Sequence, residues 1–217
     1  MPLFGKYIVR IYSRLKGVPY FSTSGKYWED RYKTGGNSGE GSYNKFAEFK
    51  AELINPFVKE NKVNSVIEFG CGDGNQLKYF NFNKYTGFDV SSTAINLCSE
   101  LYKNDPDKNF KLVDDFKDET ADLTMSLDVI YHLVEDSTFK NYMQRLFKSS
   151  NRYVIIYSSN KDEYTDGVHV RHRKFTDWVT AHAPDFKLLK HIPNKYPWNG
   201  DEHQTSFADF YIYTKTV

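Results

Sequence analysis

The stretch Ser65-Val66-Ile67-Glu68-Phe69-Gly70-Cys71-Gly72-Asp73-Gly74-Asn75-Gln76-Leu77 decides how this chain is read. Val66, Ile67 and Phe69 form the short apolar run of a strand covered on both faces. Three glycines at alternate positions follow, and without a Cβ they let the backbone turn sharply and approach a ligand. A helix beginning near Asp73 and running to about Asn81 is expected next, its free N–H groups facing the turn. A strand, an acid, a glycine turn and a helix together indicate a ligand-binding edge of an α/β sheet.

The spacing narrows the ligand. A phosphate loop needs Gly-x-x-x-x-Gly-Lys followed by Ser or Thr, and no such Lys follows here. The dinucleotide fingerprint needs Gly-x-Gly-x-x-Gly, whereas this turn reads Gly70-x-Gly72-x-Gly74 with Asn at 75. Glu68, two residues before the first glycine, suits a cationic ligand better than a pyrophosphate.

Composition sets outer limits. The chain has 217 residues, 40% hydrophobic and 26% charged, with net charge +1. That is enough for one domain with a sizeable core, and too nearly neutral for a general polyanion binder. No nucleic-acid partner is therefore expected. Aromatic residues reach 17%, which suits an aromatic-lined pocket. The two cysteines, Cys71 and Cys98, make no disulfide framework. With no run of 18 apolar residues and no signal-peptide pattern, the expected location is cytoplasmic.

Residues 3–16 have helical apolar spacing (Phe4, Ile8, Ile11, Leu15) with Lys6, Arg10, Arg14 and Lys16 beside it. Such a helix either docks on its own domain or a dimer partner, or makes a weak contact with an anionic membrane surface. A short helix through Tyr27-Trp28-Glu29-Asp30-Arg31-Tyr32 leads to the glycine-rich 35–43, read as a lid. A helix over 44–61 carries the stripe Phe46, Phe49, Leu53, Phe57. After the glycine turn, strands are expected at 85–90, 110–113, 122–127 and 153–157, with helices following Ser91-Ser92, over 138–148 and over 175–183. Two final strands, 186–191 and 207–213, read as a closing antiparallel hairpin. The fold class is α/β: a Rossmann-like, seven-stranded, mostly parallel sheet with an N-terminal helical cap. The expected division is 1–61, helices and lid, and 62–217, the cofactor-binding domain, as one structural unit.

In such sheets ligands bind outside the carboxyl ends of the strands. Those ends carry Glu68, Asp89, Asp115 and Asp128. The pattern Glu-x-Gly-x-Gly-x-Gly after a strand, with Asp89 placed 15 residues beyond Gly74, resembles the class I S-adenosylmethionine-dependent methyltransferases over roughly 65–157. The resemblance implies S-adenosylmethionine as cofactor. It places Asp89 on the ribose hydroxyls, and Asp115 and Phe116 at the adenine. Glu68, Gly70 and Gly72 would face the cationic methionine end, with Cys71, Gly74, Gln76, Val90 and Leu127 completing the site.

The same comparison narrows the acceptor. After strand four the chain reads Ser126-Leu127-Asp128-Val129-Ile130-Tyr131-His132, without the Pro-Pro of enzymes that methylate amino groups of DNA bases or protein glutamine. It looks instead like the small-molecule O-methyltransferases. His132 and Asp128 are the candidate bases, each with a helix-capping or backbone-bonding reading beside it, and Tyr131 shapes the pocket. Tyr27, Arg31, Ser38 and Tyr43 would reach the acceptor from the lid. In His169-Val170-Arg171-His172-Arg173-Lys174, five of six residues are basic or His. Adjacent Arg and Lys oppose a metal at His169-x-x-His172, so no metal is expected. The functional reading of this segment is a clamp for an anionic acceptor, made by His169, Arg171 and Arg173; the plain reading is surface charge. The pattern over 27–77 is also similar to small bacterial methyltransferases of capsule and surface-polysaccharide gene clusters. That points to O-methylation of a small phosphorylated or carbohydrate acceptor in capsular polysaccharide biosynthesis. A cofactor-binding scaffold in a membrane-associated complex, or a protein or RNA methyltransferase, are the alternatives.

Overall fold

A computed structural model describes residues 21–164 and 168–216. The expected helix over 3–16, and its membrane contact, lie outside the described residues. Strand β1 (Ser65–Phe69) takes its apolar run into the middle of a seven-stranded sheet. Its neighbours are β2 (Lys84–Asp89) and β4 (Ala121–Leu127), both parallel to it. β3 (Lys108–Leu112) extends the sheet on one side, and β5 (Ser150–Ser158) on the other. β9 (Asp209–Lys215) pairs antiparallel with β5, and β8 (Phe186–Ile192) antiparallel with β9, giving the order β3-β2-β1-β4-β5-β9-β8. The expected closing hairpin is there. The order reverses between β1 and β4, so a crevice opens at their carboxyl ends.

The helices are α1 (Ser24–Lys33), α2 (Asn44–Glu60), α3 (Ser92–Leu101), α4 (Asp136–Lys148) and α5 (Phe175–His182). Ser91 caps α3, its hydroxyl accepting from Ala94 N at 3.1 Å. The strand alternation divides the core into two layers. Val66, Tyr85, Leu123, Met125, Ile155 and Tyr157 pack with Phe49, Ile54 and Val58 of α2. Ile67, Phe69, Phe88, Val154 and Ile156 pack with Phe139 and Met143 of α4 and Phe175 of α5. The buried residues of α2 are Phe46, Ala47, Phe49, Lys50, Ala51, Ile54 and Val58, with Leu53 and Phe57 half-buried against the same core. The expected stripe faces the core, and a lysine sits in the middle of the buried face.

The helix expected over 73–81 does not form. The chain makes one 3-10 turn at Gln76–Tyr79 and returns to the core through Phe80 and Phe82. Gly74 holds a left-handed φ of +74°, which no helix continues through. Within the basic segment, Arg171–His172 form the short strand β7, paired with β6 (Glu163–Tyr164).

Candidate functional site

Gly70 and Gly72, at φ +85° and +59°, carry the chain away from β1 in the conformation that only glycine adopts at little cost. A Cβ at 70 would strike the Val129 side chain; one at 72 would lie 2.9 Å from Tyr32 Oη and against Ser38 Oγ. The first three N–H groups of the turn face β2. Gly70 and Cys71 donate to Phe88 O at 2.6 and 3.1 Å, and Gly72 donates to Asp89 Oδ2 at 3.0 Å.

A cavity of about 250 Å³ opens beyond the turn. Its wall includes Phe69, Gly70, Cys71 and Gly72 after β1, Asp89 and Val90 after β2, Val113 after β3, and Leu127 and Asp128 after β4. The buried Asp89 carboxylate accepts from Gly72 N and from Ser91 N (2.9 Å). Burial pushes its pKa up to about 6 against those hydrogen bonds. Asn141, Tyr142 and Arg145 of α4 also line this cavity, and sequence reading missed them.

α1 roofs the cavity with Ser24, Trp28 and Tyr32, one helical turn apart. Two carboxylates pin the roof. Glu135 accepts from Ser24 N (2.9 Å) and Ser24 Oγ (2.7 Å). Glu29 accepts from Ser91 Oγ (2.6 Å) and Thr93 N (3.2 Å) at the start of α3. Partial burial raises the Glu29 pKa, but the bonds from Ser91, Lys33 and Thr93 outweigh it and hold the carboxylate at about 2. The glycine-rich 35–43 is fastened to the turn by Asp73. Ser38 N (2.9 Å) and Tyr43 Oη (2.7 Å) donate to Asp73 Oδ2, while Asp73 N donates to Ser38 Oγ (3.0 Å).

A second cavity, of about 440 Å³, lies alongside. Tyr27, Arg31, Tyr131, His169, Trp198 and Phe207 are among its walls, with the carboxylates of Glu40 and Glu202. Tyr27 and His169 stack at 4.6 Å, and His169 and His132 at 5.5 Å. Trp28, Ser38, Asp128 and His132 line both cavities. Asp128 has φ +60°, an uncommon strained conformation for a residue with a Cβ. Its Oδ1 accepts from Tyr131 Oη at 2.7 Å, and its Oδ2 pairs with Lys50 Nζ. Burial pushes the His132 pKa down to about 3, with the charges of Arg31 and other histidines adding to the effect. Its Nδ1 lies 3.1 Å from the His169 carbonyl. A carbonyl only accepts, so Nδ1 carries the proton and Nε2 the free lone pair.

Several expected site residues lie elsewhere. Glu68 is fully buried and lines neither cavity; it shares the α2 face of β1 with Val66 and accepts from Gln76 Nε2 (3.0 Å) and Tyr85 Oη (2.6 Å). Gln76 and Gly74 also lie behind the turn, outside the cavity wall. Asp115 is exposed and lines neither cavity. Phe116 packs against Phe69 and Phe88 at 5.6 and 5.5 Å, beneath the cavity instead of in it. Tyr43 spends its hydroxyl on Asp73 and lines neither of these two cavities. The anion clamp is not formed by Arg171 and Arg173. Both bind Asp136 Oδ1, at 2.9 and 2.8 Å, and the carbonyl of Val134, at 3.2 and 2.8 Å. They hold the β4–α4 connection together. His172 is likewise buried, its Nδ1 lying 2.6 Å from Ser159 Oγ. Among the described residues, no group of three or more His, Cys, Asp or Glu could hold a metal ion. No described helix is long and apolar enough to cross a membrane.

A family model described as a methyltransferase domain matches residues 43–196. The chain belongs to this methyltransferase family. This methyltransferase is S-adenosylmethionine-dependent, as the resemblance over 65–157 implied. Solved structures share its fold. The N-methyltransferase NodS from Bradyrhizobium japonicum, in complex with S-adenosyl-L-homocysteine, superposes with a TM-score of 0.69 at 14% identity, over 89% of this chain and 99% of that one. Magnesium protoporphyrin IX methyltransferase (ChlM) from Synechocystis PCC 6803, with bound SAM, gives 0.61 at 12% identity, over 91% and 100%. The methyltransferase domain of bacterial CtHen1-C gives 0.58 at 19% identity, over 78% and 98%. A search of the curated proteins finds no match.

The first cavity fits the cofactor. Asp89 offers a buried carboxylate for two hydroxyls, and Phe69, Val90, Val113 and Leu127 give an apolar wall for a flat ring.

Proposed function

We propose that this methyltransferase methylates a hydroxyl of a small carbohydrate acceptor, phosphorylated or otherwise anionic, held in the second cavity. One observation carries the reading: both cavities share the wall formed by Trp28, Ser38, Asp128 and His132. A donor in one and an acceptor in the other would meet there, and alignment supplies much of the rate of such a transfer. Bound S-adenosylmethionine supplies an electrophilic methyl group. Asp89 would hold its ribose, Gly70, Cys71 and Gly72 its methionine end, and Val90 and Leu127 its adenine.

A hydroxyl acceptor loses a proton when methylated, so the site needs a group to take it. His132 and Asp128 divide this work. A His with a pKa near 3 stays neutral and is a poor proton store, but its Nε2 accepts a hydrogen bond and orients the hydroxyl. Asp128, with a second lone pair on each oxygen, takes the proton. Tyr27, Trp198 and Phe207 offer flat faces to a sugar ring. With Arg171 and Arg173 engaged by Asp136, Arg31 is the guanidinium lining the cavity and would meet a phosphate or carboxylate. The likeness of 27–77 to methyltransferases of capsule and surface-polysaccharide gene clusters supports a capsular carbohydrate acceptor and a cytoplasmic site of action.

Glu40, Glu202 and Asp128 among aromatic rings favour a second reading, N-methylation of a cationic amine. A panel of sugar phosphates, nucleotide sugars, neutral sugars and amines separates the two. The purified protein is incubated with S-adenosylmethionine, and the methylated atom is located by mass spectrometry and NMR. Methylation on oxygen of an anionic sugar is expected. Turnover confined to amines would sink the O-methylation reading.

A further inference from the structure

Lys50 is completely buried in the middle of α2. An unpaired ammonium there would cost several kcal/mol, and all three of its donors are engaged. Nζ pairs with Asp128 Oδ2, donates to Gly41 O at 3.0 Å and donates to Gln76 Oε1 at 3.2 Å. The Tyr157 ring lies 4.9 Å away. The Gln76 amide continues to Glu68, which Tyr85 also meets. One polar chain therefore runs Tyr131–Asp128–Lys50–Gln76–Glu68–Tyr85, from the shared wall of the cavities to beneath the glycine turn. Asp128 is held at its strained φ by Lys50 and Tyr131 through its carboxylate, and by its own N–H, which donates to Tyr157 O at 2.9 Å. Gly41 leaves the space the carboxylate needs, since a Cβ there would come within 2.5 Å of Asp128 Oδ2.

We infer that Lys50 is a positioning residue for methyl transfer: it aims the Asp128 carboxylate at the shared wall, where it receives the acceptor's proton. This rests on the reading of Asp128 as the proton acceptor. In the step, a carbon–oxygen bond forms to the acceptor while its O–H bond breaks. The proton goes to Asp128, and the electron pair of the broken carbon–sulfur bond leaves with the sulfur. The groups facing Asp128 are Lys50 from α2, Tyr131 from the turn after β4 and Tyr157 from β5, with Gly41 from the lid.

The test compares Lys50→Met, Gly41→Ala and Asp128→Asn with the wild type. Each is titrated with S-adenosylhomocysteine by calorimetry and assayed for kcat and acceptor KM. Lys50→Met should bind within about threefold of wild type and lose roughly 10- to 100-fold in kcat. The loss should fall on kcat, with the acceptor KM within about threefold of wild type, because the carboxylate is misplaced while the acceptor's cavity is kept. Gly41→Ala keeps Lys50 and displaces the carboxylate, so kcat should fall with cofactor affinity unchanged; it also serves if Lys50→Met does not fold. A Lys50→Met enzyme with wild-type kcat, or one whose KM rises in step with the fall in kcat, would make Lys50 a structural residue and overturn the inference. So would Gly41→Ala with wild-type kcat. Wild-type kcat in Asp128→Asn would instead bring down the reading of Asp128 itself.

Discussion

Replacing Glu68 by Gln tests how the buried carboxylate beneath the glycine turn is held. Burial pushes its pKa up from 4.5 to about 7, and the charge of Asp89 adds to the rise. Hydrogen bonds from Tyr85 and Gln76 and the charge of Lys50 pull the other way. A raised folded pKa means that the native state keeps a proton the unfolded chain releases. The stabilisation is full below pH 4.5 and is lost as the pH rises through about 7. At about 1.4 kcal/mol per pH unit, the rise from 4.5 to about 7 is worth about 3 kcal/mol. Glu68→Gln removes this titration. It also turns one accepting oxygen into a donor facing Tyr85 or Gln76, at a pH-independent cost of about 1 kcal/mol. The variant should therefore be slightly less stable than wild type at pH 5 and more stable at pH 8. Urea unfolding of both proteins across that range gives the difference directly, and the titrations of Asp89 and His132 cancel in it. The variant's advantage should grow by about 2.5 kcal/mol from pH 5 to pH 8, since part of the loss has already occurred at pH 5. A difference flat to within about 0.5 kcal/mol would mean that Glu68 stays ionised throughout, and would refute the reasoning.

Asp89→Asn should weaken S-adenosylhomocysteine binding by roughly 10- to 100-fold, the worth of hydrogen bonds to a charged group, and calorimetry within threefold of wild type would remove Asp89 from the ribose site. Wild-type affinity should itself decline as the pH falls below about 6, because ribose hydroxyls favour the ionised carboxylate and the folded group is then protonated. Arg173→Met should lower Tm by several degrees, since this buried side chain holds the Leu133 and Val134 carbonyls, and should leave the acceptor KM unchanged. A raised KM with an unchanged Tm would restore Arg173 to the acceptor site.

Some site features could have been found earlier in the sequence. In β1, Val66 and Glu68 have the same parity, so a strand that buries Val66 against α2 buries Glu68 there too. In α2, helical spacing sets Lys50 between Phe46 and Ile54 on the apolar face, where a lysine must find an anion. The engagement of Arg171 and Arg173 left no such trace. Their run of basic residues looks the same whether it faces a ligand or a carboxylate of its own chain, and Asp136 lies on a different element.

The sequence by itself determined the strands of the main sheet, the helices between them except after the glycine turn, that turn itself and the acids at the strand ends. Each of these follows from local periodicity or from the backbone freedom of one residue type. Only the tertiary structure decided which acids face the cavity. Asp89 and Asp128 do, while Glu68 turns to the opposite layer and Asp115 to solvent. It also decided that Lys50 meets Asp128 across 78 residues, that Asp73 fastens the lid and that two cavities share one wall. Such pairings depend on how layers pack and on which buried charge must be neutralised, and no local pattern in the chain encodes them.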